Sequence, residues 1–165
     1  MKVCIVHDSQ QGNGRKIAER MGEVFESLGA SVVVGHQSET TPESIASQSP
    51  DLLVTGAAIR KFMTGPASKR WMSRLATAVQ DGGDRIACGA VFITHLMPKS
   101  IADRRAGRFS RSIMSYNAVR ELYSEWFSGP VQQIKGPLME GTLEASERHA
   151  RVLFEWAQSA TTERP

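Results

Sequence analysis

The sequence predicts a doubly wound α/β domain, a three-layer sandwich in which helices cover both faces of a five-stranded parallel sheet of order 2-1-3-4-5. Three observations carry this reading. Strand-like and helix-like segments alternate along the whole chain. The strand-like segments are continuously apolar at their centres, as strands buried on both faces are. The 165 residues suffice for one domain with its own core, and no linker, repeat or low-complexity tract divides them.

The elements follow in order. "KVCIVH" (2–7) is a short apolar strand. After a polar loop, Ile17, Met21, Val24, Phe25 and Leu28 recur at helical spacing, and Gly29 supplies a stop. "SVVVGH" (31–36) is a second strand rich in β-branched residues. "TPESIASQS" (41–49) is a short helix with Pro42 in its first turn. "DLLVTGAA" (51–58) is the third strand. A loop, "IRKFMTGP", leads to a helix carrying Met72, Leu75, Ala76 and Val79, which "DGGD" (81–84) ends. "RIACGAVFIT" (85–94) is the fourth strand. From 95 to about 130 the spacing of Val119, Leu122, Tyr123, Trp126 and Phe127 predicts helix, and "VQQIKG" (131–136) is a weak fifth strand. The last helix places Ala150, Leu153, Phe154 and Ala157 on one face, and "TTERP" should fray.

Composition bounds the function. Hydrophobic residues make up 41% and charged residues 22% of the chain, as in ordinary globular proteins. No apolar run reaches membrane-spanning length, and "MKVCIV" begins a strand at once, which leaves no room for a secretory signal. The expected address is therefore cytoplasmic. Cys4 and Cys88 lie inside strands without metal-ligand spacing, so buried reduced thiols are expected, with a redox pair as the alternative. A net charge of +3 suits an anionic ligand, an acidic partner or a membrane surface, and is too small to argue for nucleic acid.

Sheets of this type bind ligands beyond the carboxyl ends of their strands, near the switch between strands one and three. The candidate ligand loops are thus 8–15, 57–66 and 94–99. In the first, "DSQQGNGR", Gly12 and Gly14 let the backbone curl tightly. Main-chain N–H groups and the helix dipole there favour an anion. Ser9, Gln10, Gln11 and Asn13 add side-chain donors. Arg15 and Lys16 are unfavourable at an empty helix start and helpful beside a phosphate; alternatively both point into water and the loop merely turns. A phosphorylated receiver domain shares the strand order but needs an aspartate at the carboxyl end of strand three, where this chain has Thr55, Gly56 and Ala57. Asp51 is at the wrong end, which excludes that class.

"HDSQQGNGRKIAERM" resembles the phosphate loop of flavodoxins, Ser/Thr-x-Thr-Gly-x-Thr, which follows the first strand and opens the first helix. Ser9 and Gly12 match, Asn13 is a frequent residue at the free position, and Gln11 and Gly14 replace the two threonines. "DLLVTGAAIRKF" resembles the family's third strand and flavin-flanking loop, often Gly-Ser-Pro-Ile-Tyr. Gly56 and Ile59 match, Ala57 and Ala58 replace serine and proline, and Arg60 stands where an aromatic often stacks. Phe62 either substitutes for that aromatic or joins the core. "GAAIR" also resembles the menaquinone-dependent protoporphyrinogen oxidase branch, whose members likewise carry a long basic insertion late in the chain.

The resemblance implies flavin mononucleotide (FMN) as cofactor. It would be held by Ser9 through Arg15, by Ala57, Ala58, Ile59 and Arg60, and by Thr94, His95 and Leu96 of the third loop. Backbone N–H groups of that loop would face the charge a reduced flavin develops. His95 is either a proton donor to the flavin or a solvated loop histidine. No catalytic side chain is assigned, and His7, His36 and His149 form no metal constellation.

"PKSIADRRAGRFSRS" carries Lys99, Arg104, Arg105, Arg108 and Arg111 against Asp103. It is either a solvated helical face or a dock for an anionic redox partner, a propionate-bearing porphyrin or lipid headgroups. The downstream aromatics Tyr116, Tyr123, Trp126 and Phe127 are expected on the buried face of that helix. Two functions follow: an FMN-dependent redox protein that transfers electrons or oxidises a small molecule such as protoporphyrinogen, or a flavin-free module that docks an acidic partner through residues 99–111.

Overall fold

The computed structural model describes residues 1–60, 63–82 and 85–162. Phe62, the end of the "DGGD" stop and the last three residues of "TTERP" lie outside them. In chain order the elements are β1 (Lys2–His7), α1 (Asn13–Ser27), β2 (Ser31–His36), α2 (Pro42–Gln48), β3 (Leu52–Arg60), β4 (Met63–Thr64), α3 (Pro66–Asp81), β5 (Ile86–His95), α4 (Lys99–Ser115), β6 (Val119–Leu122), β7 (Phe127–Pro130) and α5 (Thr142–Thr162).

The sheet runs β2-β1-β3-β5, and its fifth position is shared by two short strands. β6 lies beside the first half of β5 and β7 beside the second, both parallel to it. Counted by sheet position this is the order 2-1-3-4-5. β4 pairs antiparallel with the end of β3, Thr64 opposite Ile59, so the expected 59–66 loop contains a small hairpin.

Side chains along β1 alternate between two cores, as the two-residue period of a strand requires. Val3 and Ile5 pack with Ile17, Met21 and Phe25 of α1 and with Leu153 and Phe154 of α5. Cys4 and Val6 pack with Ile45 of α2, Met72 and Leu75 of α3, and Phe109 and Ile113 of α4. Both cysteines are buried and unbridged, and burial pushes the Cys4 thiol up to about 11. Gly56, at the centre of β3, is dictated by close approach: a Cβ there would stand 2.1 Å from Cζ of Phe92. The Phe92 ring fills that space beneath the carboxyl ends of the strands.

Two expectations are corrected. Helix continues from Lys99 only to Ser115, and the apolar positions 119–127 belong to β6, a short excursion and β7. Their spacing coincides with a helical repeat, but Gly129 and Pro130 oppose helix, and the free edge of β5 offers strand pairing. The aromatics then divide between faces. Tyr123 packs on His149 and Trp156 of α5, with ring centroids 5.9 and 5.1 Å away. The Trp126 indole N–H donates to Asp103 of α4 at 3.2 Å, and its ring covers Gly107. The second correction is "VQQIKG", which forms no strand because β7 already occupies that position. Val131 makes an isolated bridge to Leu138, and Gly136 closes a turn by donating its N–H to the Gln133 carbonyl at 3.0 Å.

Candidate functional site

The carboxyl ends of β1, β3 and β5 lie side by side, His7 opposite Gly56 and Ala58 opposite Thr94. The three loops that leave them therefore meet. In the first, the Asp8 N–H donates to the Gly56 carbonyl at 3.2 Å and the Ser9 N–H to Nδ1 of His7 at 3.3 Å. Gly12, at φ +82°, turns the chain into α1 through a conformation that favours glycine. Its carbonyl receives the first helical bond, from the Lys16 N–H at 3.0 Å. Helix geometry leaves the N–H groups of Asn13, Gly14 and Arg15 without intrahelical acceptors. No side chain caps this end and no acid lies in its first turn. Gly14 sits against Ser9, whose Cβ would be 3.2 Å from a Cβ at position 14.

Asp8 ties the first loop to the second. Its Oδ1 accepts the Ala58 N–H at 2.9 Å, and its Oδ2 accepts Nη1 of Arg60 at 2.9 Å. Nη2 of Arg60 donates to the Asp8 carbonyl at 2.6 Å. Burial pushes the Asp8 carboxyl up, while the Arg60 charge and these hydrogen bonds oppose the shift. The neighbouring His7 is buried against His36, ring centroids 5.3 Å apart. Burial first, then the His36 and Arg15 charges, push His7 down to about 4, so it stays neutral and Nδ1 remains an acceptor for Ser9.

His95 closes the third side. Its Nδ1 lies 2.9 Å from the Met97 carbonyl and its Nε2 2.7 Å from the Ser128 hydroxyl. A carbonyl only accepts, so Nδ1 carries the proton and Nε2 accepts from Ser128. Burial pushes the ring's pKa down. His95 is thus a buried histidine with both nitrogens engaged inside the protein, and it is not a solvated loop residue. Residues 131–138 complete the enclosure: Nδ2 of Asn13 donates to the Gly136 carbonyl at 2.8 Å, a buried bond that fastens this loop to the start of α1.

A cavity of about 510 Å³ lies between these loops. Ser9, Gln10, Gln11, Asn13 and Gly14 line it from the first loop; Ala58, Ile59 and Arg60 from the second; Thr94, His95 and Leu96 from the third. Three expected residues stand apart. Gly12 shapes the turn without lining the cavity, and Ala57 is buried, 2% exposed. Arg15 turns away to Glu19, Nε to Oε1 2.7 Å, in a polar cleft on the other side of the loop. Its cation therefore joins a surface ion pair, the outward alternative of the two considered. Met97, Val131 and Ile134 also line the cavity and were missed. The Gly136-Pro137 pair was the available sign that 131–136 turns back instead of running on as a strand.

No protein-family model matches the chain, and no curated protein matches it. Solved structures do. A flavodoxin from the domain Archaea superposes with a TM-score of 0.75 at 14% identity, covering 96% of this chain and 99% of that one. Flavodoxin 1 from Bacillus cereus gives 0.67 at 14% identity, covering 94% and 98%. The rubredoxin oxygen:oxidoreductase from Desulfovibrio gigas gives 0.68 at 12% identity, covering 97% of this chain and 37% of that one. With the strand order and the position of the cavity, these likenesses identify the architecture as the flavodoxin-like fold.

Proposed function

We propose that this chain is an FMN-binding redox protein whose flavin occupies the cavity at the carboxyl ends of β1, β3 and β5. One observation carries the reading: a cavity with unsatisfied main-chain N–H groups at one end and apolar walls at the other. Its 510 Å³ falls within the roughly 300–1,000 Å³ of cofactor-sized pockets. Flavodoxins are prominent among the similar structures, which supports the choice of cofactor.

The residues present fit that group. The N–H groups of Asn13, Gly14 and Arg15, with the Ser9 hydroxyl, would hold the phosphate through hydrogen bonds aided by the helix dipole. Ile59, Leu96, Met97 and Ile134 would flank the ring system and exclude water from its faces. Arg60, fixed by Asp8, would set a guanidinium where the related loops often carry an aromatic. Bound FMN supplies one- or two-electron transfer at its exposed edge. The protein's share is to position the ring and to present main-chain donors and a fixed cation to it. His95 keeps the third loop in place through its bonds to Met97 and Ser128 and contributes no free proton.

The finer reading is oxidation of a small anionic molecule, with protoporphyrinogen as the candidate that "GAAIR" and the basic α4 support. Lys99, Arg104, Arg105, Arg108 and Arg111 lie on α4, and of these only Lys99 is paired with an acid among the described residues. A cytoplasmic address belongs to the same proposal and is supported by the burial of both cysteines inside strands. Among the described residues no helix is long and apolar enough to cross a membrane.

The test is a titration of the purified protein with FMN, followed by flavin fluorescence and visible absorbance. Quenched emission with a structured absorbance band is the expected result. Emission equal to that of free flavin at every protein concentration would overturn the proposal and leave the flavin-free docking module, which the loss of both threonine hydroxyls at Gln11 and Gly14 favours.

A further inference from the structure

A second concavity lies beside β4 of the β3–β4 hairpin. It measures about 180 Å³ and is lined by Thr64, Pro66, Lys69, Arg105, Arg108 and Phe109. Thr64 stands directly across the hairpin from Ile59, a wall residue of the flavin cavity, so the two spaces border the same hairpin. Its volume is below the ~300 Å³ at which whole-ligand pockets begin, so it suits one functional group and its bound water.

The chemistry of the walls is one-sided. Lys69 comes from the first turn of α3, and Arg105 and Arg108 from successive turns of α4. None of the three makes an ion pair among the described residues, although acids elsewhere on the surface are paired at Glu19, Glu43 and Asp103. Arg105 and Lys69 are half-buried, which is unfavourable for unpaired cations and favours an incoming counter-charge. The Thr64 hydroxyl is buried and has no hydrogen-bond partner among the described residues.

α3 adds donors. Gly65 caps it at φ +48° without a side-chain bond, and its carbonyl takes the Lys69 N–H at 2.9 Å. The N–H groups of Ala67 and Ser68 are left without intrahelical acceptors. Two guanidinium forks and an ammonium thus meet at one group-sized hollow beside the start of α3, a combination that recognises planar or tetrahedral oxyanions.

We propose that this hollow is an oxyanion subsite that takes a carboxylate or phosphate group of a small-molecule ligand. It does not depend on FMN. If both readings hold, a ligand anchored here by its acid group extends over the hairpin toward the flavin cavity. The sources of the oxyanion are distinguished by ligand: inorganic phosphate for a phosphoryl arm, and tricarballylate for a carboxylate arm.

The experiment is a titration of the ¹⁵N-labelled full chain with each anion at constant ionic strength, followed by the amides of Ala67 and Ser68 and the Nε of Arg105 and Arg108. The amides of Asn13 and Gly14 report the phosphate loop separately. Saturable shifts at Ala67, Ser68 and Arg105 with at least one anion are expected, weakened tenfold or more in Arg105→Gln and in Lys69→Gln. Far-UV circular dichroism and thermal midpoint should be unchanged in both variants. Shifts that chloride reproduces, or that persist at equal affinity in both variants, would overturn the subsite. Shifts confined to Asn13 and Gly14 would overturn it too while leaving the flavin reading intact. Failure of FMN to bind, with saturation at Ala67 and Ser68, would sink only the flavin reading.

Discussion

Arg60 reaches back to Asp8, its Nη1 2.9 Å from Oδ2 and its Nη2 2.6 Å from the main-chain carbonyl. Asp8 follows the end of β1 and Arg60 ends β3, and the fork between them holds two cavity-lining loops at a fixed separation. Asp8 is nearly buried while the Arg60 side chain is 35% exposed. Removing the arginine therefore leaves a carboxylate that water reaches poorly. Arg60→Met should destabilise the protein by about 2 kcal/mol, the modest side of what breaking a buried pair costs because one partner is partly solvated. Asp8→Asn retains an acceptor for the Ala58 N–H and should cost about 1 kcal/mol. Urea unfolding of the two variants checks the order; equal losses would mean that the charge of the fork contributes nothing.

Acid should loosen the same end of the molecule. The folded-state pKa of His7 lies near 4, against an ordinary 6.5. Between those values the unfolded chain binds a proton that the folded chain refuses, so stability is full above pH 6.5 and falls as pH drops toward 4. The share from His7 reaches about 3 kcal/mol. His95 and His149 are also pushed down by burial and add in the same direction. His7→Asn, which keeps an acceptor near the Ser9 N–H, should flatten the stability profile in this window. A profile as steep as the parent's would place the proton elsewhere.

Gly56 and Phe92 form a packing pair. With a Cβ at position 56 only 2.1 Å from the ring, Gly56→Ala must displace Phe92 and should cost about 1–3 kcal/mol. Phe92→Leu opens the space, so the double variant should lose clearly less than the sum of the single losses. Additive losses in denaturant unfolding would show that the ring does not bear on this glycine.

The bond from Asn13 to the Gly136 carbonyl holds the 131–138 loop over the cavity. Asn13→Asp removes the donor and sets an acceptor against an acceptor. Hydrogen exchange at Gln132 and Gly136, whose N–H groups are bonded within that loop, should accelerate at least tenfold, with exchange in β1 unchanged. Unaltered protection would mean that the main-chain bonds of Val131, Gln132 and Met139 hold the loop without Asn13.

The fold was readable because its strands are buried on both faces and its helices carry clean apolar stripes: "VCIV" and the Ile17–Met21–Phe25 series admit few other arrangements. The region 119–136 was not. Val119, Leu122, Tyr123, Trp126 and Phe127 fit a helical repeat by spacing, and only the free edge of β5 makes them strands whose aromatics part to opposite faces. The three loops that line the cavity were legible from strand order. The bonds that shape the site were not, since Asp8 to Arg60 spans 52 positions and Asn13 to Gly136 spans 123. Neither end of these pairs looks unusual in its own neighbourhood. Arg15 misled because a cation beside a glycine-rich turn invites pairing with a phosphate, whereas Glu19, one helical turn on, is the nearer anion.

Gly12 is where the backbone conformation and the proposed ligand meet. A Cβ at this position would touch nothing among the described residues, so Gly12→Val carries only the strain of a branched residue at φ +82°, about 1–2 kcal/mol. The variant should fold, and the strained turn should move the N–H groups beyond it out of the arrangement that a phosphate needs. FMN affinity should fall by at least tenfold while the circular dichroism spectrum is retained; normal affinity would remove the phosphate from this turn.

The most direct measurement compares the affinities of FMN and riboflavin, which share the ring system and differ in the phosphate. If the main-chain donors of Asn13, Gly14 and Arg15 hold that group, FMN should bind at least tenfold tighter, a difference of about 1.4 kcal/mol or more. Equal affinity for the two would contradict the account, because the turn between β1 and α1 would then have no part in holding the cofactor.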